Sequence, residues 1–256
     1  MFQSCVSFIL ALSQYENNRT GILTNNMYGQ TYVSAHYFEE MKKLLIKHLK
    51  TTSATPMEEI SSLLDKLGKG TSISTINWEE YDYQPEVKFN IAYSVGELYI
   101  KYYVTEDYVM AQKSESNQSV CQDSCVEFFV TPISDGPYYN FEFNPIGTCL
   151  LGKGNDRHDS NVQNPELIKM IRRLSSLGTE PFDEKKGKQS WTLTIAIPHE
   201  ILFNDPLPEL SGKVIRANFY KCGDSLSKMH YLTWNPVETE NPDYHQPEYF
   251  GVLEFE

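Results

Sequence analysis

The chain is poor in positive charge. It holds 22 Lys and Arg against 34 Asp and Glu, for a formal net charge of −12 over 256 residues. Nucleic-acid binding depends on clustered Lys and Arg that displace phosphate counterions, so the balance argues against a nucleic-acid partner. A neutral ligand, a cation or another protein is left. Cysteine is also scarce. The five residues Cys5, Cys121, Cys125, Cys149 and Cys222 are odd in number and widely spread, which excludes a disulfide framework and suggests free thiols in a reducing compartment. No C-x-x-C occurs, and the histidines at 36, 48, 158, 199, 230 and 245 show no ligand spacing with the cysteines. A structural zinc site needs four such ligands. Cys125, Cys149 and Cys222 therefore read as packing residues, while a catalytic cysteine paired with His158 or His230 stays open. Long apolar runs are missing as well. The opening "MFQSCVSFILALSQ" lacks the basic region of a signal peptide and is too short to span a bilayer, so a soluble, cytoplasmic protein without a membrane partner is expected. There is no internal repeat, no low-complexity tract and no phosphate loop: Leu63 stands where the first glycine before "GK" would be required.

Aromatic residues are plentiful, at 13% with 17 Tyr and 13 Phe, and they favour strands and stacking surfaces. Residues 1–40 have one basic residue, Arg19, and no sustained periodicity. Two origins are open for them, a loosely packed extension or an upstream reading before a natural start at Met41. Met41 opens the short basic amphipathic piece "MKKLLIKHLK". The expected division is an N-terminal extension over 1–52 and one domain over 53–256. "TPMEEISSLLDKLGKG" predicts a helix with Thr55 as cap, Pro56 first, Glu58 completing a capping box and Gly68 as stop. "NPELIKMIRRLSSLG" predicts a second, capped by Asn164, with Leu167, Met170, Ile171 and Leu174 on one face.

From residue 86 the hydrophobic period becomes 2. "EVKFNIAY", "ELYIKYYV", "CVEFFVT", "YYNFEFN", "WTLTIAIP", "VIRANFYKC", "HYLTWNP" and "FGVLEF" read as strands between turn clusters. The expected fold is all-β, an antiparallel, jelly-roll-like β-sandwich with a few short helices. Alternation assigns faces. Val126, Phe128 and Val130 oppose Cys125, Glu127 and Phe129. Phe141 and Phe143 oppose Asn140, Glu142 and Asn144. Ile215, Ala217 and Phe219 oppose Arg216, Asn218, Tyr220 and Cys222. The apolar sides should meet in the core. The other side carries amides and carboxylates beside aromatics, groups that hydrogen-bond and stack on sugars. It also suits ordinary solvated sheet surface, with Glu127 paired to Arg216 for structure only.

Taken in order, "QDSCVEFFVTP", "YYNFEFNPIGTCLLG", "SWTLTIAIP", "IRANFYKCGD", "LTWNPV" and "PDYHQPEYFGVLEF" resemble the family 9 carbohydrate-binding modules, and more closely the stand-alone family-9-like proteins of Bacteroidetes-type bacteria. The resemblance runs from about Glu58 to the end. It implies a β-sandwich, a non-catalytic role in binding oligosaccharide or polysaccharide during xylan- or cellulose-type glycan breakdown, and often structural calcium. By the same resemblance Glu127 keeps a sugar-contacting glutamate and Asn144 matches the asparagine of the next strand. A family arginine falls on Glu142, one stacking tryptophan falls on Cys121, and a second falls on Tyr244. The ligand-binding candidates are Glu127, Asn144, Arg216, Asn218, Trp234, Tyr244 and Tyr249. Calcium, which takes oxygen ligands, would be sought at the acidic loops holding Asp156, Asp159 and Asp243. Two alternatives accompany this reading: a glycoside hydrolase using Glu127 and Glu142 as its carboxylate pair, and a sandwich that has lost sugar binding and serves protein interaction.

Overall fold

The structure is a computed structural model that describes residues 24–25, 31–32, 41–134 and 136–256. The chain divides into two units, Met1–Met41 and Lys42–Glu256. In the first, Thr24–Asn25 pairs antiparallel with Thr31–Tyr32. The other expectations for residues 1–40 lie outside the described residues.

The second unit is a two-sheet sandwich. Its strands are β1 (Lys43–His48), β2 (Glu86–Tyr93), β3 (Glu97–Ala111), β4 (Cys125–Thr131), β5 (Tyr138–Phe143), β6 (Cys149–Gly154), β7 (Arg172–Ser175), β8 (Phe182–Pro198), β9 (Val214–Cys222), β10 (Tyr231–Thr233) and β11 (Gly251–Phe255). One sheet runs β6-β5-β4-β9-β11-β1, and the other β1-β2-β3-β8-β7. All these pairings are antiparallel except those of β1. That strand lies parallel to β11 through Lys43–Ile46 and parallel to β2 through Lys47 and His48, so it belongs to both sheets.

Period-2 alternation does what the sequence predicts. Val126, Phe128 and Val130 of β4, Phe141 and Phe143 of β5, and Ile215, Ala217 and Phe219 of β9 face Val87, Phe89 and Ile91 of β2, Ile100 and Tyr102 of β3, and Leu193, Ile195 and Ile197 of β8 in one core. Phe89 and Phe219 stack between the two sheets with ring centroids 3.7 Å apart. Burying a side chain of this size contributes about 1.5–3 kcal/mol.

Helix α1 (Met57–Asp65) covers the outer face of the second sheet, where Ile60 and Leu64 pack on Ala92, Tyr99 and Ala196. Its start differs from the expected capping box. Thr55 Oγ1 accepts from the Thr52 amide, and Pro56 closes the first turn through its carbonyl. The second helix is shorter than its apolar spacing suggests. Asn164 caps α2 (Pro165–Met170) by accepting from the Glu166 amide, but the chain turns extended at Ile171 and enters β7. Arg172 of β7 explains the switch. Its guanidinium bonds both carboxylate oxygens of buried Glu97, at 3.0 and 2.7 Å, and the Thr55 carbonyl at 2.7 Å. A charge-assisted fork of this kind outweighs the small difference in local propensity. The boundary expected at residue 53 also moves, because "KLLIKH" is a sheet strand inside the sandwich.

Candidate functional site

The polar faces of β4, β5 and β9 form one continuous patch. Tyr220 lies across from Glu127, Glu127 across from Glu142, and Cys222 across from Cys125. Alternation and register together therefore bring two carboxyl groups and two thiols from distant parts of the chain onto adjoining strands.

This patch is neither solvated sheet nor open platform. Every residue from Cys125 to Val130 is buried. The segment after β10 folds over the face. Tyr244 stacks on Tyr220 at 4.0 Å and 7°, His245 sits 5.0 Å from Phe129, and Tyr138 donates to or accepts from His245 Nδ1 at 2.7 Å. Beneath this cover Glu127 is 3% exposed and Glu142 7%. The Cys222 thiol donates to Glu127 Oε1 at 3.0 Å, and the Asn140 amide donates to Glu142 Oε1 at 2.9 Å.

Burial dominates the electrostatics. It pushes the Glu142 carboxyl up to about 7, partly offset by the Asn140 hydrogen bond. Burial and then the Glu142 charge push Glu127 well above the ordinary carboxylate range. Two carboxyls in one dry patch cannot both ionise cheaply, so the pair resists losing both protons. The reading of this face as ordinary solvated sheet surface is thus overturned. Asp224, raised by burial, and Arg157 act on the same pair, Asp224 raising and Arg157 lowering the Glu142 carboxyl. Asp224 also meets the Tyr231 hydroxyl and the Cys121 thiol. Half-buried Cys121, Asp224 and Tyr231, with exposed Arg157, mark where the patch approaches the surface.

The other candidates have different employment. Asn144 lies at the end of β5, where it donates to the Lys113 carbonyl at 2.7 Å and Asp123 Oδ2 at 2.9 Å and accepts from the Thr148 amide. It braces the loop that carries Cys121. Asn218 donates to the Asn235 carbonyl and accepts from the Asn235 amide, pinning β9 to the "WNP" turn. Trp234 is a core residue, edge-on to Phe89 and Phe219. Tyr249 is buried with its hydroxyl on the Glu238 carbonyl. Arg216 is not the partner of Glu127. It opposes Thr131, four positions along β9 from Tyr220, or roughly 13 Å at the rise of a strand, and it bonds the Glu248 and Phe250 carbonyls. Tyr244, expected as a stacking platform, has one ring face taken by Tyr220 and its hydroxyl bonded to the Lys221 and Leu232 carbonyls.

The acidic loops do not gather a cation cage. Asp159 Oδ1 accepts from the amides of Asn155 and Asp156, Asp156 Oδ1 accepts from those of His158 and Asp159, and Asp243 Oδ1 pairs with Arg157 at 3.2 Å. These oxygens close turns. Among the described residues, the one group of three His, Cys, Asp or Glu side chains whose ligand atoms lie within 4.8 Å of one another is Cys125, Glu127 and Cys222. Sequence reasoning missed that cluster, together with Asp224 and Arg157. The faces of Cys125 and Cys222 were legible, but the register that makes them neighbours was not.

Two sheets packed face to face around one core define the β-sandwich class. The family model for carbohydrate-binding family 9 matches residues 58–255, and the chain belongs to that family. A structure described as "a putative carbohydrate-binding protein from Bacteroides uniformis ATCC 8492" is 40% identical, with TM-score 0.80, covering 84% of this chain and 100% of that one. The family 9 module of Caldicellulosiruptor kristjanssonii in complex with glucose shares the fold at 12% identity and TM-score 0.54, over 84% of this chain and 96% of that one. No curated protein matches the sequence.

Proposed function

We propose that this chain binds neutral oligosaccharide without transforming it, in support of xylan- or cellulose-type glycan breakdown. The observation that carries the proposal is membership of carbohydrate-binding family 9, and the half-buried rim of Cys121, Asp224 and Tyr231 beside exposed Arg157 is where the polar patch comes nearest to solvent. Carboxyl groups in a dry setting both donate and accept, and so read pairs of sugar hydroxyls. The family membership supports the same ligand class.

The raised carboxyls also suit a general acid, which favours glycoside hydrolysis as a second reading. One experiment separates the two. A glycan screen on the purified full chain finds a ligand, and calorimetric titration then compares wild type with Glu127→Gln and Asp224→Asn. Binding should weaken by about 1.5–3 kcal/mol in each variant, the scale of a hydrogen bond to a charged group, with no reducing sugar released by any protein. Sugar release lost in Glu127→Gln would replace binding with catalysis. Unchanged affinity in both variants would remove the ligand from this face.

A further inference from the structure

Cys125, Cys222 and Glu127 are packing residues by position, yet they make an unusual core. Cys125 and Cys222 lie directly across the β4–β9 pair, and Glu127 follows two positions along β4 on the same face. Their ligand atoms all fall within 4.8 Å of one another, and Cys222 Sγ is already 3.0 Å from Glu127 Oε1. Exposure is 0% for Cys125, 1% for Cys222 and 3% for Glu127. A tetrahedral d10 cation with sulfur at about 2.3 Å and oxygen at about 2.0–2.2 Å sets its donors roughly 3.5–3.8 Å apart. The three donors, all within 4.8 Å of one another, are close to that spacing.

A second observation points to the same spot. Asp224 presses on Cys222, Glu127 and Cys121 electrostatically. Among the described residues its buried Oδ1 has no hydrogen-bond partner. A buried acceptor left unpaired costs about 1–3 kcal/mol, and such a group calls for an explanation. A cation bound to the two sulfurs would offset the Asp224 charge that acts on them.

We propose that Cys125, Cys222 and Glu127, with solvent completing the shell, form a binding site for a thiophilic divalent cation of the zinc class. The donor set argues against calcium, which takes oxygen ligands at hard, flexible sites. Two thiolates select a softer ion. Binding is an exchange: each thiol gives its proton to bulk solvent, Glu127 gives up any it holds, and the cation takes their place. The charge left behind is small, since two thiolates and one carboxylate nearly balance a dication. Cys121 and Asp224, beside the cluster, are half-buried. Glu127 belongs both to this set and to the proposed sugar face, so the titration is made on sugar-free protein, where its outcome is read separately from sugar affinity.

The full chain, reduced and stripped with chelator, is titrated with Cd2+ and separately with Zn2+. One equivalent of Cd2+ should raise a sulfur-to-metal charge-transfer band in the ultraviolet, and Zn2+ should abolish it. Buffer-dependent calorimetry should show net proton release. Cys222→Ala and Cys125→Ala should each weaken the metal about a hundredfold, as the loss of one ligand from a four-ligand site, and Asp224→Asn by less. X-ray absorption on the zinc-loaded wild type guards against variants that fail to fold, and should show a mixed shell of two sulfurs with oxygens. An absent band, a band unchanged in both alanine variants, or an all-oxygen shell would each overturn the site. So would a reduced protein that mild oxidation converts to a Cys125–Cys222 disulfide while it shows no metal affinity.

Discussion

Glu142 is a carboxyl group whose protonation is tied to folding. Its ordinary value is 4.5 and burial raises it to about 7 in the folded chain. Over that interval the folded state holds more protons than the unfolded one, so stability falls as pH rises. The contribution is fully present below 4.5 and is lost as pH climbs through 7. The span corresponds to an order of 2–3 kcal/mol. Glu142→Gln does not titrate, so it should gain on wild type by that amount between pH 5 and pH 8 in denaturant melts. The comparison cancels the opposite trend of His199 and His245, both held near 4 by burial. A constant gap between the two proteins would mean that Glu142 is solvated. Lys221 poses a different problem. Its ammonium is fully buried, 3.0 Å from Glu106 Oε2 and 2.9 Å from His230 Nε2. Glu106 Oε1 in turn accepts from Trp191 Nε1 at 2.8 Å. Removing the carboxylate leaves a cation without a counter-charge in the core. Glu106→Gln should cost about 3–5 kcal/mol in thermal or denaturant unfolding, whereas exchanging both partners for apolar residues should cost much less.

At the scale of elements, alternation was a good guide wherever a strand has two unlike faces. "CVEFFVT", "YYNFEFN" and "VIRANFYKC" fell on β4, β5 and β9 because phenylalanine and valine recur at every second position against polar neighbours. "KLLIKH" was not recognised as a strand. Its burial alternates, with Leu44 and Ile46 turned inward, but Leu45 is apolar on the exposed side, so the residue types carry no period-2 signal. "LIKMIRRLSS" misled for the opposite reason. Its apolar spacing suits a helical face, and the Arg172–Glu97 fork, made with a strand 75 residues away in sequence, decides the conformation. The candidate site was legible as a list of polar positions and no further. Whether those positions are open or covered depends on the segment around Tyr244 and His245, whose docking leaves no local pattern. The β1 assignment carries a prediction. A chain starting at Met41 keeps the strand and should fold cooperatively, while one starting at Ser53 loses it and exposes an edge of each sheet. The shorter protein should aggregate or melt non-cooperatively. A sharp, native-like transition from residues 53–256 would mean that β1 contributes nothing to the sandwich.

For the whole molecule, the position of β1 governs the order in which the fold can be completed. Lys43 lies across from Val252 and Ile46 across from Phe255, so a strand near the start of the sandwich docks against its last strand. Contacts of such long sequence separation make loop closure slow and late. During synthesis the ribosome delivers β1 early, but the neighbour that fixes it emerges last. Until then both sheets have an open edge facing solvent, and the first strand is a hydrophobic ribbon of leucine and isoleucine without its partner. Closing the seam therefore waits for β11 to leave the ribosome, and the nascent sandwich needs protection from its neighbours until then.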